Sequence, residues 1–285
     1  MIYFIYNPIS GGKGNSIRQK IELDLNKIEN SVLLRTEYIN HATELAQFAI
    51  QQKAEKIIVI GGDGTINEVA RQLIGSDIPL GIVPMGSGNG LSSHLGLPKN
   101  YKKALQFAIQ SNQSKKIDVA YFNEKPFFCT AGIGFDAVVA HEFSKSKKRG
   151  FITYISSSFK MALNYNPILA QIELEESYRP YFSITFANAN QFGNNAFISP
   201  GSNVMDNQFE VVLVKPVNFI EKIKLGISLF TKSIQKQSKV QILQTNTLSL
   251  NVKNCSYFHL DGETFSLHEN RIQIKLIPNS LKIIF

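Results

Sequence analysis

Lys56-Ile57-Ile58-Val59-Ile60-Gly61-Gly62-Asp63-Gly64-Thr65-Ile66-Asn67-Glu68-Val69 opens as an apolar strand, breaks at glycines around one acid, and resumes with helical spacing. Strand, glycine turn and helix in that order are the grammar of a parallel α/β layer, and the flanking residues repeat it. Upstream, residues 1–6 and 32–36 read as strands, 16–28 as a helix capped by Ser16, and 41–52 as a helix entered from Asn40. Downstream, 65–74 reads as a helix, 80–83 as a strand and 101–110 as a closing helix. Such alternation predicts right-handed crossovers and a parallel sheet covered on both faces.

From about residue 113 the grammar changes. Strand-like runs dominate at 116–120, 127–131, 169–174, 181–187, 209–214, 240–243, 248–252, 257–260, 272–277 and 281–285, with helices predicted over 137–143 and 152–163. Short strands between turn residues predict an antiparallel sandwich. The expected fold class is an N-terminal α/β domain with a parallel sheet and a C-terminal antiparallel β-sandwich. The boundary is expected near Asn112, with no internal repeat. Phe219, Ile220, Ile223, Ile227 and Phe230 recur at helical spacing, with Lys222, Lys224 and Lys232 nearby. Leu225 and Leu229 lie off that stripe, and the stripe is assigned to the core in preference to a membrane-facing surface.

Glycine-rich loops follow three of the early strands: Asn7-Pro8-Ile9-Ser10-Gly11-Gly12-Lys13-Gly14, Gly61-Gly62-Asp63-Gly64-Thr65, and Pro84-Met85-Gly86-Ser87-Gly88-Asn89-Gly90. In open α/β sheets, ligands bind beyond the carboxyl ends of the strands. Glycine lets backbone N–H groups approach phosphate oxygens, and a helix N-terminus adds a favourable field. One such loop would be only a tight turn; three on one rim predict a phosphate site. None is a Walker A loop or a full G-x-G-x-x-G, which excludes a P-loop enzyme and a standard dinucleotide oxidoreductase. Asp63 would repel a phosphate unless it holds magnesium or takes a proton, the needs of phosphoryl transfer. The plain alternative for Asp63 is an Asx turn or helix cap.

Composition narrows the field. The chain has 285 residues, 44% hydrophobic, and a net charge of +8. No apolar stretch approaches the roughly 20 residues of a membrane span. The opening MIYFIYNPIS has no basic leader and reads as a strand, not a secretory signal. Cys129 and Cys255 lack metal-ligand spacing, so a reducing cytoplasm is expected. The basic residues are dispersed apart from Lys145, Lys147, Lys148 and Arg149, and no aromatics interleave with them, so a nucleic-acid partner is not expected. The charge is either a solvated surface or an attraction to acidic lipid.

Gly61-Gly62-Asp63-Gly64-Thr65-Ile66-Asn67-Glu68-Val69 resembles the signature of the diacylglycerol kinase catalytic domain superfamily, which includes sphingosine, ceramide and bacterial lipid kinases. Asn7-Pro8…Gly11-Gly12-Lys13-Gly14, Pro84…Gly86-Ser87-Gly88-Asn89, Gly132-Ile133-Gly134-Phe135-Asp136 and Asp261-Gly262-Glu263 are similar to four further motifs, in the family's order. The resemblance implies an α/β ATP-binding domain over 1–112, rejoined by a C-terminal strand at about 279–285, and a β-rich lipid-substrate domain over 113–278. It implies that Asn7, Gly12 and Thr36 line the nucleotide together with Gly61, Gly62, Gly64, Thr65 and Glu68. Gly86, Ser87, Gly88, Asn89 and Gly262 would join them. Lys13 and Arg149 would face the phosphates, and Glu263 would lie near nucleotide and metal, sharing a catalytic Mg²⁺ with Asp63.

Asp63 and Asp261 are the two candidates for the acid that accepts the lipid hydroxyl proton, without a phosphoenzyme. As residues alone, Asp261-Gly262 also reads as a hairpin turn. The resemblance gives Asp136 a contact with the lipid head group; as a residue it reads equally as a helix N-cap. Asp206 falls where bacterial members carry a structural Mg²⁺, but Met205 and Asn207 replace the acid and glycine beside it, which favours a plain turn. His41 reads as packing at a helix start.

The implied function is an ATP- and Mg²⁺-dependent lipid kinase acting on diacylglycerol or a sphingoid-base-like lipid. It would be a cytoplasmic monomer or homodimer, peripheral to an anionic membrane surface at the inner face. The alternatives are an NAD kinase-like enzyme, which shares the Gly-Gly-Asp-Gly-Thr loop, and a silent nucleotide- or lipid-binding module.

Overall fold

The computed structural model describes all residues except 13, 146–160, 163 and 174. The chain forms two compact units: Met1–Ile117 with Asn279–Phe285, and Asp118–Pro278.

The first unit runs β1 (Ile2–Tyr6), α1 (Asn15–Asn26), β2 (Ser31–Arg35), α2 (His41–Gln51), β3 (Lys56–Gly61), α3 (Asp63–Leu73), β4 (Leu80–Pro84), α4 (Gly90–His94) and α5 (Tyr101–Gln110). The strands are parallel in the order β2-β1-β3-β4, with Ile2 opposite both Ser31 and Lys56, and Ile57 opposite Leu80. Ile283, near the end of the last strand, pairs in parallel with Leu80. β4 is buried throughout, as a strand covered on both faces must be. Phe4, Tyr6, Ile58, Ile60 and Val83 pack with Ile21 and Leu25 of α1 and with Ala104, Leu105 and Ala108 of α5. Gly81 lets α5 approach, since a Cβ there would lie 3.1 Å from the Ala108 methyl. Lys56 Nζ donates to the carbonyls of Ala108, Ile109 and Ser111 (3.1, 2.9 and 3.0 Å) and so satisfies the C-terminus of α5; burial lowers its pKa.

Two helix starts differ from expectation. α1 begins at Asn15 with extended Gly14 as its cap, so Ser16 sits inside the first turn. α3 begins at Asp63, two residues early, because extended Gly62 accepts the first helical N–H, from Ile66 (3.0 Å).

The chain continues as β5 (Lys115–Phe122), β6 (Lys125–Phe127), β7 (Thr130–Gly134), α6 (Phe135–Lys145), β8 (Ile168–Ile172), β9 (Arg179–Tyr181), β10 (Ser183–Ala187), β11 (Phe209–Val214) and α7 (Phe219–Phe230). It ends with β12 (Val240–Thr245), β13 (Thr247–Lys253), β14 (Tyr257–Leu260), β15 (Glu263–Ser266) and β16 (Arg271–Ile283). One antiparallel layer of the second unit has the order β12-β11-β10-β7-β14-β15. The other gathers β13, β8 and β9, with β5 and β6, on β16. Phe122, Phe127, Ile133, Phe186 and Phe209 share one core with Leu250, Val252, Ile272 and Ile274, which makes the unit a sandwich.

Three strand expectations change. The run 127–131 is split between β6 and β7, because the N–H groups of residues 128–130 turn to a carboxylate described below. The run 181–187 is split at Phe182, whose backbone bonds Val214 and Phe135 instead of continuing the ladder. The runs 272–277 and 281–285 fuse into β16, where Asn279 (φ 52°) bends the strand without ending it. Of the helix expected over 152–163, only Met161 and Ala162 are described, and both are helical.

α7 carries the largest correction. The stripe assigned to the core faces outward: Ile220 is 62% exposed, Ile227 58% and Phe219 51%. The two leucines off the stripe, Leu225 and Leu229, pack with Phe182, Ile198 and Val212, and Ser228 between them is buried. Helical spacing identifies a face, but not which of two apolar faces turns inward.

Candidate active site

In the first unit the three glycine loops meet at the carboxyl ends of β1, β3 and β4. Asn7 joins two of them: its backbone N–H donates to Ile60 O (3.0 Å) and its amide to Thr65 Oγ1 (2.9 Å). Ser10 Oγ accepts the Gly62 N–H (3.2 Å), and Met85 N–H donates to Gly61 O (2.7 Å). A Cβ on Gly86 would lie 2.8 Å from Gly62 Cα, so the second and third loops touch only because both residues are glycine. Gly12 (φ 60°) and Gly14 have open space where a side chain would stand.

Asp63 clasps the second loop to the third. Its Oδ2 accepts the Asn89 N–H (2.7 Å) and its Oδ1 the Gly90 N–H (2.9 Å), at the start of α4. Asp63 thus caps a helix, though not the one it begins. Burial raises its pKa, and the N–H groups of Asn89 and Gly90 act in the opposite direction. Asn89 sits left-handed (φ 51°), with its amide bonded to Gly86 on both sides (Oδ1 from N–H 3.0 Å, Nδ2 to O 2.7 Å). Ser87 is exposed and Gly64 half-buried in the first turn of α3. Thr36 is buried after β2, its N–H on Tyr6 O (2.9 Å). Glu68 reaches α2, accepting from Asn40 N–H (3.3 Å) and Ala42 N–H (3.0 Å). His41, at the first position of α2, accepts the Glu37 N–H at Nδ1 (3.1 Å) and stacks on Tyr38.

In the second unit Asp261 and Gly262 (φ 49° and 87°) form the two-residue turn between β14 and β15, with Leu260 opposite Glu263. The Asp261 carboxylate collects three backbone donors: Phe128 N–H on Oδ2 (2.9 Å), and Cys129 and Thr130 N–H on Oδ1 (2.7 and 3.0 Å). Those bonds split the strand predicted over 127–131. Glu263 is exposed at the start of β15.

Asp136 is not an N-cap, because α6 already begins at Phe135. Its Oδ1 accepts the Ala137 N–H (2.9 Å), and its Oδ2 accepts the Thr185 hydroxyl (2.7 Å) and lies 3.4 Å from His259 Nε2. Thr185 and His259, both buried, were missed in the sequence. The usable signal was Gly132, cross-strand partner of His259, where any side chain would collide with the Asp136 carboxylate. Asp206 closes a plain turn, its Oδ1 on Gln208 N–H (3.1 Å), while left-handed Asn207 (φ 64°) donates its N–H to Asp118 Oδ2 (2.8 Å). Lys13 and Arg149 lie outside the described residues.

Among the described residues no three His, Cys, Asp or Glu gather as a metal cage.

The chain thus carries a parallel layer with fused glycine loops and an antiparallel sandwich with an acid at its hairpin. Residues 1–122 match the family model of the diacylglycerol kinase catalytic domain, and residues 129–285 match that of the YegS C-terminal NAD kinase β-sandwich-like domain. The chain belongs to this family of lipid kinases and is an enzyme of the kinase class. The diacylglycerol kinase of Bacillus subtilis is 25% identical, over 91% of this chain and 88% of its own. The probable lipid kinase YegS-like protein of Chromohalobacter salexigens is 28% identical, over 83% and 78%. A solved diacylglycerol kinase from Bacillus anthracis shares the fold, with TM-score 0.71 at 21% identity, over 100% of this chain and 96% of that one. Among the described residues no helix is long and apolar enough to cross a membrane.

Proposed function

We propose that this kinase transfers the γ-phosphoryl group of ATP directly to the hydroxyl of a diacylglycerol or sphingoid-base-like lipid at an acidic membrane surface. The carrying observation is the junction of three glycine loops clasped by Asp63. Open space at Gly12 and Gly14 and the starts of α1 and α3 beside the loops suit a polyphosphate. In this reading Met1–Ile117, with the C-terminal strand, holds the nucleotide. Asn7, Gly12, Thr36, Thr65, Glu68 and the glycine loops line it, and Lys13 and Arg149 meet its phosphates. The sandwich offers the lipid, with Asp136 at its head group.

Asp63 accepts two backbone N–H groups within its own rim, which gives it a part in holding the loops. Asp261, at the hairpin of the sandwich that offers the lipid, is taken as the base. The lipid O–H gives its proton to that carboxylate as the oxygen bonds the γ-phosphorus and the β–γ bridging bond breaks, releasing ADP. Such a positioned base is worth about 10²–10⁴ in rate. Magnesium, when bound with Glu263 or Asp63, neutralises charge on the phosphates.

Radiolabelled ATP assayed against diacylglycerols, sphingoid bases, ceramides and NAD tests the reading. Labelling of a long-chain alcohol supports it; labelling of NAD alone replaces it with the NAD kinase alternative, and no labelling with intact nucleotide binding leaves a silent module.

A further inference from the structure

α7 is a helix with two apolar faces, one of which packs into the second unit. Leu225 and Leu229 anchor it, joining the cluster that contains Phe135, Tyr165, Phe182 and Phe192. Asn218 and Glu221 close a capping box at its start, with side chain to backbone bonds of 3.0 and 2.8 Å, so its end is satisfied without a partner. Ile220, Ile223 and Ile227 nevertheless stand exposed together on the other face, beside Phe219. Single exposed apolar residues are ordinary, but a contiguous stripe on one helix is not.

Charge decides what covers that stripe. Residues 215–239 carry six lysines (Lys215, Lys222, Lys224, Lys232, Lys236 and Lys239) against one acid, Glu221. This short segment therefore supplies most of the chain's net +8. Lys224 lies between Ile220 and Ile227 in sequence and is exposed with them. A second copy would set these lysines against their own kind. An acidic bilayer matches both properties, since apolar side chains enter the acyl boundary while lysines meet the head groups.

We infer that α7 is the element by which this protein docks on an anionic membrane, with Ile220, Ile223 and Ile227 inserted and Lys224 at the head groups. The inference deepens the lipid-kinase reading by assigning its membrane contact to one helix, and rests on it for biological sense.

The test is co-sedimentation of the full chain with vesicles, without nucleotide. Phosphatidylcholine vesicles with about 30 mol% phosphatidylglycerol should bind it, and pure phosphatidylcholine should bind it more weakly. The triple variant I220S/I223S/I227S should lose affinity by about thirtyfold or more at an unchanged melting temperature. Lys224→Gln should lose about fivefold on acidic vesicles only. Unchanged vesicle binding by the triple variant overturns the inference. So does a fall from dimer to monomer in that variant without loss of vesicle affinity, which would make the stripe a contact between copies.

A parallel assay on detergent-dispersed diacylglycerol separates the two readings. If the wild type binds vesicles through the isoleucines but phosphorylates no lipid, docking stands and the substrate assignment fails. If it phosphorylates the lipid but sediments independently of α7, docking fails alone.

Discussion

Asp63 and Asp261 occupy similar words, Gly-Asp-Gly and Leu-Asp-Gly, and the backbone uses them in opposite ways. Asp63 opens a helix behind a parallel strand, in a right-handed environment that any residue tolerates. Asp261 has φ 49° and shares with Gly262 the left-handed pair that a two-residue hairpin demands. Each carboxylate nevertheless bonds backbone N–H groups far away in sequence, 26 and 27 residues on for Asp63 and 131 to 133 residues back for Asp261. Asp63 joins two loops of one rim; Asp261 breaks a strand. An acid in a glycine turn can therefore be a builder as well as a reagent.

The largest expected effect tests that separation. Asp261→Asn should lower kcat by about 10²–10⁴, with stability reduced by about 1–2 kcal/mol because an amide oxygen can serve only some of the three donors. Asp63→Asn should reverse the balance, with stability down by about 1–3 kcal/mol and kcat down by a smaller factor. Denaturant unfolding and single-turnover rates measure both; equal losses on both scales in the two variants would erase the distinction. Asp63 also has a pH signature. Burial raises its pKa, so its contribution favours the fold below its ordinary 3.8 and fades as pH rises through the raised value. The stability difference between wild type and Asp63→Asn should therefore shift against the wild type as pH climbs from 3.8, and a flat difference would show that its pKa is not raised.

Much of the first unit was legible because its signals are local. Apolar runs such as Lys56–Gly61 and glycines after them mark strands and turns within a few residues. The second unit was legible as a class but not in detail, since its breaks have distant causes. Nothing near Phe128 announces a carboxylate 133 residues away. The Asp136–Thr185–His259 group likewise assembles from three separate elements. α7 was misread for another reason: its two faces are similarly apolar, and the choice between them depends on a cluster including Phe182 and Ile198. At the candidate site the glycine loops were visible, whereas the service of Asp63 to α4 and of Glu68 to α2 required the fold.

The glycines beside the two acids sharpen the comparison at smaller scale. A methyl group on Gly88 would lie 2.8 Å from Asp63 Oδ2, so Gly88→Ala should push the carboxylate from the Asn89 N–H and cost about 1–3 kcal/mol. The same variant should lose nucleotide affinity by calorimetry if the rim holds phosphates. Gly262 is different, because nothing lies within 4 Å of the added methyl and its demand is conformational. At φ 87° an L side chain is strained, so Gly262→Ala should cost about 1 kcal/mol. Gly262→Asn should recover part of that loss, since asparagine tolerates left-handed backbone, as Asn89 and Asn207 do in this chain. Steric crowding would rank asparagine below alanine; strain ranks it above, and the order of the two unfolding midpoints decides between them.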